Sequence, residues 1–303
     1  MIIWTKNMDG SWEFDYTVFD QWVEFMMDLG IDKMINCYSL LTWNNQMHYN
    51  DMEKGELVTV ELKAQSKEYE ALWSVFLQDF TRYLDEKGWL EITNIAMDER
   101  GPEDMKAALS VLDRFAPELG VSLADNHKSY QQYPWIKDIC VGAGARPTKE
   151  EIAVRREKGL NTTYYVCCSD KFPNTFTFSA SAEAVYAAWH AAALDLDGFL
   201  RWSYNSWVEN PLTDSRFRTW PAGDTYIVYP DARSSIRFER LIEGIQDVEK
   251  IRVLRKKYNA ESTPEAQAKL AELDDAISYF NTLDPSNHWE EKLNEAKKLL
   301  NSI

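Results

Sequence analysis

Short apolar runs alternate with amphipathic helical segments through most of this chain, and that alternation constrains its fold most. The runs fall at 33–38, 92–98, 121–125, 139–142, 162–168 and 198–204. The spacing predicts helices at about 67–87, 102–115, 148–158 and 181–194 between them. Continuous apolar runs of this length read as strands buried on both faces, and strands separated by helices form βαβ units in a parallel sheet. An earlier helix is expected over 17–29, where Val18, Phe19, Trp22, Val23, Phe25, Met26 and Leu29 make a wide apolar stripe ended by Gly30. Before it, the turn Asn7-Met-Asp-Gly10 joins two short strands in a β-hairpin. Helices are expected at 237–257, from Thr263-Pro264 onward, and at 287–301, with long loops at 40–66 and 205–235.

Six parallel strands fit a doubly wound sheet or a barrel. No dinucleotide glycine fingerprint or phosphate loop is present, since Gly142-Ala-Gly144 is too short to serve as either. Polar and aromatic residues gather at or near the strand exits: Asn36 and Tyr38, Asp98 and Glu99, Asp125 and Asn126, Trp202 and Tyr204. Such a ring of side chains is what the carboxyl-terminal mouth of a barrel uses to hold a ligand. A chain of 303 residues is long enough for one barrel domain.

The net charge of −16 repels phosphate backbones and anionic lipid, which argues against nucleic-acid partners. Twelve Trp and fifteen Tyr supply rings that pack cores or stack on sugar faces. The four cysteines, Cys37, Cys140, Cys167 and Cys168, lie in strand-like runs without a Cys-x-x-Cys spacing. They read as small buried hydrophobes, with no metal site expected. No membrane-spanning stretch and no signal peptide are expected.

The pair Asp98–Glu99 stands at the end of an apolar run and before the break at Gly101-Pro102. Adjacent carboxylates in unlike surroundings divide acid and stabiliser roles; they also simply open helices, where negative charge meets the helix dipole. Six ordered segments extend the pattern: 9–16 (Asp-Gly-Ser-Trp-Glu-Phe-Asp-Tyr), 35–39 (Ile-Asn-Cys-Tyr-Ser), 95–100 (Ile-Ala-Met-Asp-Glu-Arg), 201–207 (Arg-Trp-Ser-Tyr-Asn-Ser-Trp), 222–230 (Ala-Gly-Asp-Thr-Tyr-Ile-Val-Tyr-Pro) and 235–247 (Ser-Ile-Arg-Phe-Glu-Arg-Leu-Ile-Glu-Gly-Ile-Gln-Asp). Together they resemble glycoside hydrolase family 123, over the chain to about residue 258.

The resemblance implies an α/β fold, a (β/α)8 TIM-type barrel represented by about strands three to eight. It would comprise a β-hairpin decoration at 1–16, a partial barrel at 17–258 and a C-terminal helical extension at 259–303. It implies a retaining exo-glycosidase that releases terminal β-linked N-acetylgalactosamine. The sugar's own 2-acetamido group then acts as nucleophile, with no cofactor and no metal. Carried over, Glu99 is the acid that later becomes the base, and Asp98 orients the acetamido N–H. Because neighbours in a strand point to opposite faces, both reach one site only if the backbone bends where the strand ends.

For substrate binding the candidates are Tyr38, Asn36, Asp125, Trp202, Tyr204, Asn205 and Trp207. Trp43 and Trp135 read equally as subsite walls and as packing, His127 as a surface residue, Arg100 as an ion-pair partner and Asp224 as a turn residue. Arg237, Glu239 and Asp247 are expected to fasten the helix at 237–257 through ion pairs. The expected partner is a glycolipid or glycoprotein oligosaccharide, in a periplasmic or extracellular bacterial setting. A sheet with open edges would also favour pairing of copies. The second reading is a catalytically impaired or carbohydrate-binding protein on the same scaffold.

Overall fold

The computed structural model describes residues 1–142, 145–216 and 219–303. Ala143 and Gly144, within the run set aside as a phosphate loop, lie outside the described residues. The chain divides into two compact units, Met1–Ile139 and Cys140–Ile303.

In the first unit, the run ending at Asp98 is a strand buried at every position, Thr93–Met97. That is the pattern a parallel strand covered on both faces requires. Numbered in chain order, it is β6. The opening hairpin is β1 (Ile3–Lys6) and β2 (Trp12–Asp15), antiparallel with Lys6 opposite Trp12. The loop expected at 40–66 instead holds a second hairpin, β4 (Gln46–Asp51) and β5 (Glu56–Glu61). It joins the first in a four-stranded sheet ordered β2-β1-β4-β5. The turn before Gly55, which takes φ 68°, closes it. β3 (Ile35–Tyr38) and β7 (Gly120–Asp125) flank β6 in parallel register, with Tyr38 opposite Ala96 and Val121 opposite Ile95.

Helix α2 (Lys67–Lys87) shows how the sequence sets its own limits. Ser66 caps it by accepting from the Tyr69 N–H, and Gly88 ends it in the left-handed conformation. Its inner face buries Trp73, Phe76, Leu77, Phe80 and Leu84, each worth roughly 1.5–3 kcal/mol. Trp4 stacks on Phe76 at 4.5 Å and meets Trp73 edge-on, which fixes the small sheet against this helix. Helix α1 (Thr17–Asp28) behaves differently. Its stripe is as wide as its sequence suggests, yet only Phe19 and Val23 are buried. Trp22 and Phe25 stay more than half exposed, at 51% and 54%. A cavity of ≈ 660 Å³ lies beside α1 and β3, lined by Trp22, Met26, Met34, Cys37, Tyr38 and Met47 among others. Helix α3 (Pro102–Phe115) starts at the Gly101-Pro102 break, with Glu103 and Asp104 in its first turn. A short helix, α4 (Ser129–Gln132), follows β7.

The strand β8 (Asp138–Val141) carries the boundary between the units. Then come α5 (Lys149–Glu157), β9 (Asn161–Val166), α6 (Glu183–Ala193), β10 (Gly198–Arg201), α7 (Ile236–Glu261), α8 (Pro264–Ser278) and α9 (Trp289–Ser302). β9 and β10 are parallel. The parallel sheet has six strands in the order β10-β9-β8-β7-β6-β3. Each strand neighbours the next along the chain, and no reversal occurs. A doubly wound sheet reverses at a switch point, so this mixed α/β sheet is singly wound.

In the second unit every residue of α6 is buried. Its alanines let α7 approach closely: a Cβ on Gly244 would lie 2.9 Å from the Ala188 Cβ and 3.1 Å from the Val185 Cα. The helices beyond residue 259 share this core, where Leu273, Ile277, Phe280, Leu293 and Leu300 surround Tyr186 and Trp189. Arg237 is buried, but its partners are the carbonyls of Thr175 and Gly223 rather than carboxylates. Glu239 accepts from the Ser234 hydroxyl. Asp247 does form an ion pair, with Lys297 at 2.5 Å, and accepts from the Trp189 indole at 2.9 Å.

Among the described residues no group of three or more His, Cys, Asp or Glu side chains could hold a metal ion. Nor is any described helix long and apolar enough to cross a membrane. Cys140 is buried and the other three cysteines are partly so, all as free thiols. Burial pushes the Cys37 thiol up to about 12, which leaves it inert.

Candidate active site

The chain leaves β6 at Met97, and the next two residues carry the acids. Asp98 and Glu99 are both half-buried. The backbone turns there, since the Glu99 N–H donates to Asp98 Oδ1 at 2.9 Å. Trp43, from the segment after β3, donates its indole Nε1–H to Asp98 Oδ2 at 2.9 Å. Arg100 lays its guanidinium 3.9 Å over the Trp43 ring and donates to the Leu41 carbonyl at 3.0 Å. From the exit of β7, Asn126 donates to Glu99 Oε2 at 2.8 Å. The two carboxylates are therefore oriented by separate donors: an indole for Asp98 and an amide for Glu99. Neither acid lines the cavity beside α1.

The other residues singled out in this unit take different places. Tyr38 ends β3 and is 58% exposed. Asn36 lies two residues deeper in β3. Its amide donates to Asp138 at 3.0 Å and accepts from Asn94 at 2.8 Å, in a polar chain that Ser122 joins through Asp138. Those bonds spend it on tying neighbouring strands together. Asp125 is only 1% exposed. Its Oδ1 accepts from the His127 N–H at 2.8 Å and the Ser129 hydroxyl at 3.1 Å, which shapes the turn into α4. Trp43 and Asn126 touch the two acids; sequence reasoning left Trp43 undecided and placed Asn126 at a strand exit without giving it a role. Asn126 had a signal, because it follows a strand adjacent to the one that ends in the acids. Trp43 had none beyond being an aromatic in a long loop.

The second unit holds Trp202, Tyr204, Asn205 and Trp207, just past β10. This segment is laced to residues 224–228. Trp207 donates to the Val228 carbonyl at 2.8 Å, Ser203 to the Thr225 carbonyl at 2.7 Å, and Asn205 bridges to Tyr226. Trp202 meets Trp220 at 5.8 Å, and Tyr204 meets Phe238 edge-on at 5.8 Å. Asp224 is fully buried and pairs with the buried Arg201 at 3.0 Å. Its Oδ1 also lies 3.3 Å from the Trp202 indole nitrogen. Even so, Trp202, Tyr204 and Trp207 stay 39–46% exposed.

This geometry can do acid–base work. Two carboxylates leave one strand end, Asp98 held by the Trp43 indole and Glu99 by the Asn126 amide, and a carboxylate in such a place can accept or give up a proton.

The sequence model of the glycoside hydrolase 123 catalytic domain matches residues 1–254. The chain belongs to that family. A solved family 123 glycoside hydrolase from Clostridium perfringens, studied for glycolipid glycan hydrolysis, is 30% identical with a TM-score of 0.83. That match covers 99% of this chain and 57% of the Clostridium chain, so this family member spans little more than half of that relative. A mutant xylanase 10C from Cellvibrio japonicus, complexed with xylopentaose, is 11% identical with a TM-score of 0.38, over 77% of this chain and 57% of that one. That likeness is too slight to carry an argument. Among curated proteins none matches. Membership makes this chain a glycoside hydrolase family 123 catalytic-domain sequence over residues 1–254.

Proposed function

We propose that this chain is a retaining exo-glycosidase that releases terminal β-linked N-acetylgalactosamine, with Asp98 and Glu99 as its catalytic pair. The observation that carries this reading is the exit of β6. There Asp98 is held by the Trp43 indole at 2.9 Å while Glu99, the very next residue, is held separately by Asn126 at 2.8 Å. The scaffold is read as a TIM-type (β/α) barrel, supported by consecutive parallel strands and by acids at a strand's carboxyl end.

The roles follow from the chemistry. Glu99 protonates the glycosidic oxygen as the bond to the anomeric carbon breaks. The 2-acetamido oxygen of the sugar attacks that carbon and closes a five-membered ring. Asp98 accepts the acetamido N–H, orients it and stabilises the positive charge that builds on the ring. Glu99, now a carboxylate, takes a proton from water as the water opens the ring, and the anomeric configuration is retained. No protein nucleophile is needed, which makes this an exception to the two-carboxylate retaining scheme. The Clostridium relative's link to glycolipid glycans suggests the same substrate class here. Exposed Trp202, Tyr204 and Trp207 are read as sugar-stacking rings.

The test is release of nitrophenol from the β-N-acetylgalactosaminide, set beside the glucosaminide. The wild-type chain is expected to prefer the former, and Glu99→Gln to lose at least about a thousand-fold in kcat/KM. Full activity in Glu99→Gln would sink the assignment of the acid. Sugar binding without turnover by the wild type would favour a carbohydrate-binding protein instead.

A further inference from the structure

We propose that Trp43 is a positioning residue that sets the direction of the Asp98 carboxylate, with Arg100 clamping its ring in place. The inference rests on the reading of Asp98 and Glu99 as the catalytic pair.

Three contacts converge to make the clamp. The Trp43 Nε1–H donates to Asp98 Oδ2 at 2.9 Å. The Arg100 guanidinium lies 3.9 Å over the same indole, within the range where a cation is drawn to a ring face. Arg100 also donates to the Leu41 carbonyl at 3.0 Å, tying the segment that carries Trp43 to the segment that carries the acids. The side chain is 63% exposed, so its contribution to the core is small. An aromatic that buries so little yet donates to one carboxylate and is covered by one cation is better suited to steering than to packing.

The lone-pair count explains what the steering does. A carboxylate offers about four acceptor positions. The Trp43 indole occupies one on Oδ2, and the Glu99 N–H one on Oδ1. Those two donors remove rotation about the Cβ–Cγ bond. The positions left over then point in one fixed direction, where an acetamido N–H can be met without reorganisation. Without the indole, the carboxylate keeps only the backbone donor and swings. Ground-state binding of the sugar would change little, because its hydroxyl contacts are untouched. The loss would fall on the step in which charge develops on the acetamido ring.

The test is a double-mutant cycle between Trp43→Phe and Asp98→Ala. The phenyl ring keeps a face for Arg100 and removes only the N–H. Trp43→Phe is expected to lower kcat roughly ten-fold or more with KM within about two-fold, as loss of a charge-assisted hydrogen bond in the transition state predicts. In the Asp98→Ala background the same change is expected to alter kcat by less than about two-fold, because its target is gone. A merely structural role would lower both backgrounds alike and would lower the melting temperature of Trp43→Phe.

Wild-type kcat in Trp43→Phe, or an equal loss in both backgrounds, overturns the proposal. If Glu99→Gln is inactive while Trp43→Phe is fully active, the catalytic pair stands and only this inference falls. Should the wild type show no turnover, affinity for a thiazoline fused to the galactose ring, a mimic of the cyclised acetamido group, replaces the rate. Weaker binding by Trp43→Phe supports the proposal, and absence of binding by the wild type overturns both readings.

Discussion

The exits of β6 and β10 look alike as sequence and differ as structure. Both bring acidic, basic and aromatic residues to the end of a parallel strand, β6 buried throughout and β10 half-buried. At β6 the acids are half-buried, and an indole touches Asp98 while an amide touches Glu99. At β10 the charges are consumed: Asp224 is fully buried against Arg201, and two indoles reach back toward residues 224–228. The difference teaches that polarity at a strand end has two uses. Where a carboxylate keeps lone pairs facing outward it is available for chemistry. Where it is sealed against a guanidinium it fastens a loop, and removing it leaves a buried charge without its partner.

The same substitution at the two exits sharpens this contrast most. Asp98→Ala is expected to lower kcat by about a hundred- to a thousand-fold with stability within about 0.5 kcal/mol of wild type. Asp224→Ala is expected to cost about 3–5 kcal/mol of stability, read as a drop in urea midpoint, because Arg201 is left buried and unpaired. If Asp224→Ala melts like the wild type, the sealed-exit reading is wrong.

A second prediction concerns a buried titratable group in the same unit as β10. His190 is completely buried in α6; its Nδ1–H donates to the Phe280 carbonyl, and its Nε2 accepts from Arg146. Burial, more than any neighbour, pushes its pKa down to about 4, against about 6.5 for an unperturbed histidine. As pH falls, the unfolded chain takes up the proton first. Stability from this residue is whole above about pH 6.5 and is lost progressively down to about pH 4, by roughly 3 kcal/mol. Denaturant titrations from pH 7 to pH 4 should show this slope for the wild type and a flatter one for His190→Gln. Equal slopes would remove His190 as the cause. The smallest effect is expected from Trp207→Phe, which loses one hydrogen bond to the Val228 carbonyl, about 1 kcal/mol. A much larger loss would mean that Trp207 holds more of the β10 exit than that bond.

The sequence showed the parts of the fold whose cause is local. β6 was visible because it ends in the apolar run Ile95-Ala-Met97, and α2 because Ser66, Gly88 and a regular apolar face mark its limits. The hairpin of β4 and β5 was hidden because its residues are mostly polar and half-exposed, so no apolar run announced it. The stripe on α1 overstated burial, since a stripe records what a helix can cover, while Trp22 and Phe25 remain exposed. At the site, Asp98 and Glu99 stand at the strand end where the sequence placed them, but that position alone also fitted a helix start, and only the six ordered segments singled the pair out. Asn36 was misplaced by two residues: one turn of the pleat separates a side chain at the mouth from one that bonds Asn94 and Asp138. Trp43 reaches Asp98 from 55 residues away, and no local pattern encodes such a meeting.

The complete burial of α6 has a consequence for how the second unit opens. A helix covered on all its faces has no solvent side from which its amides can exchange singly. In deuterated water its backbone protons should be replaced only when α7 lifts away, at the free energy of opening the whole unit. The frayed ends of α7 and α9 should exchange orders of magnitude sooner. Gly244, where the two helices come closest, then marks the point at which this cooperative block is locked: any side chain placed there pries the helices apart and turns slow, all-at-once exchange into rapid local exchange.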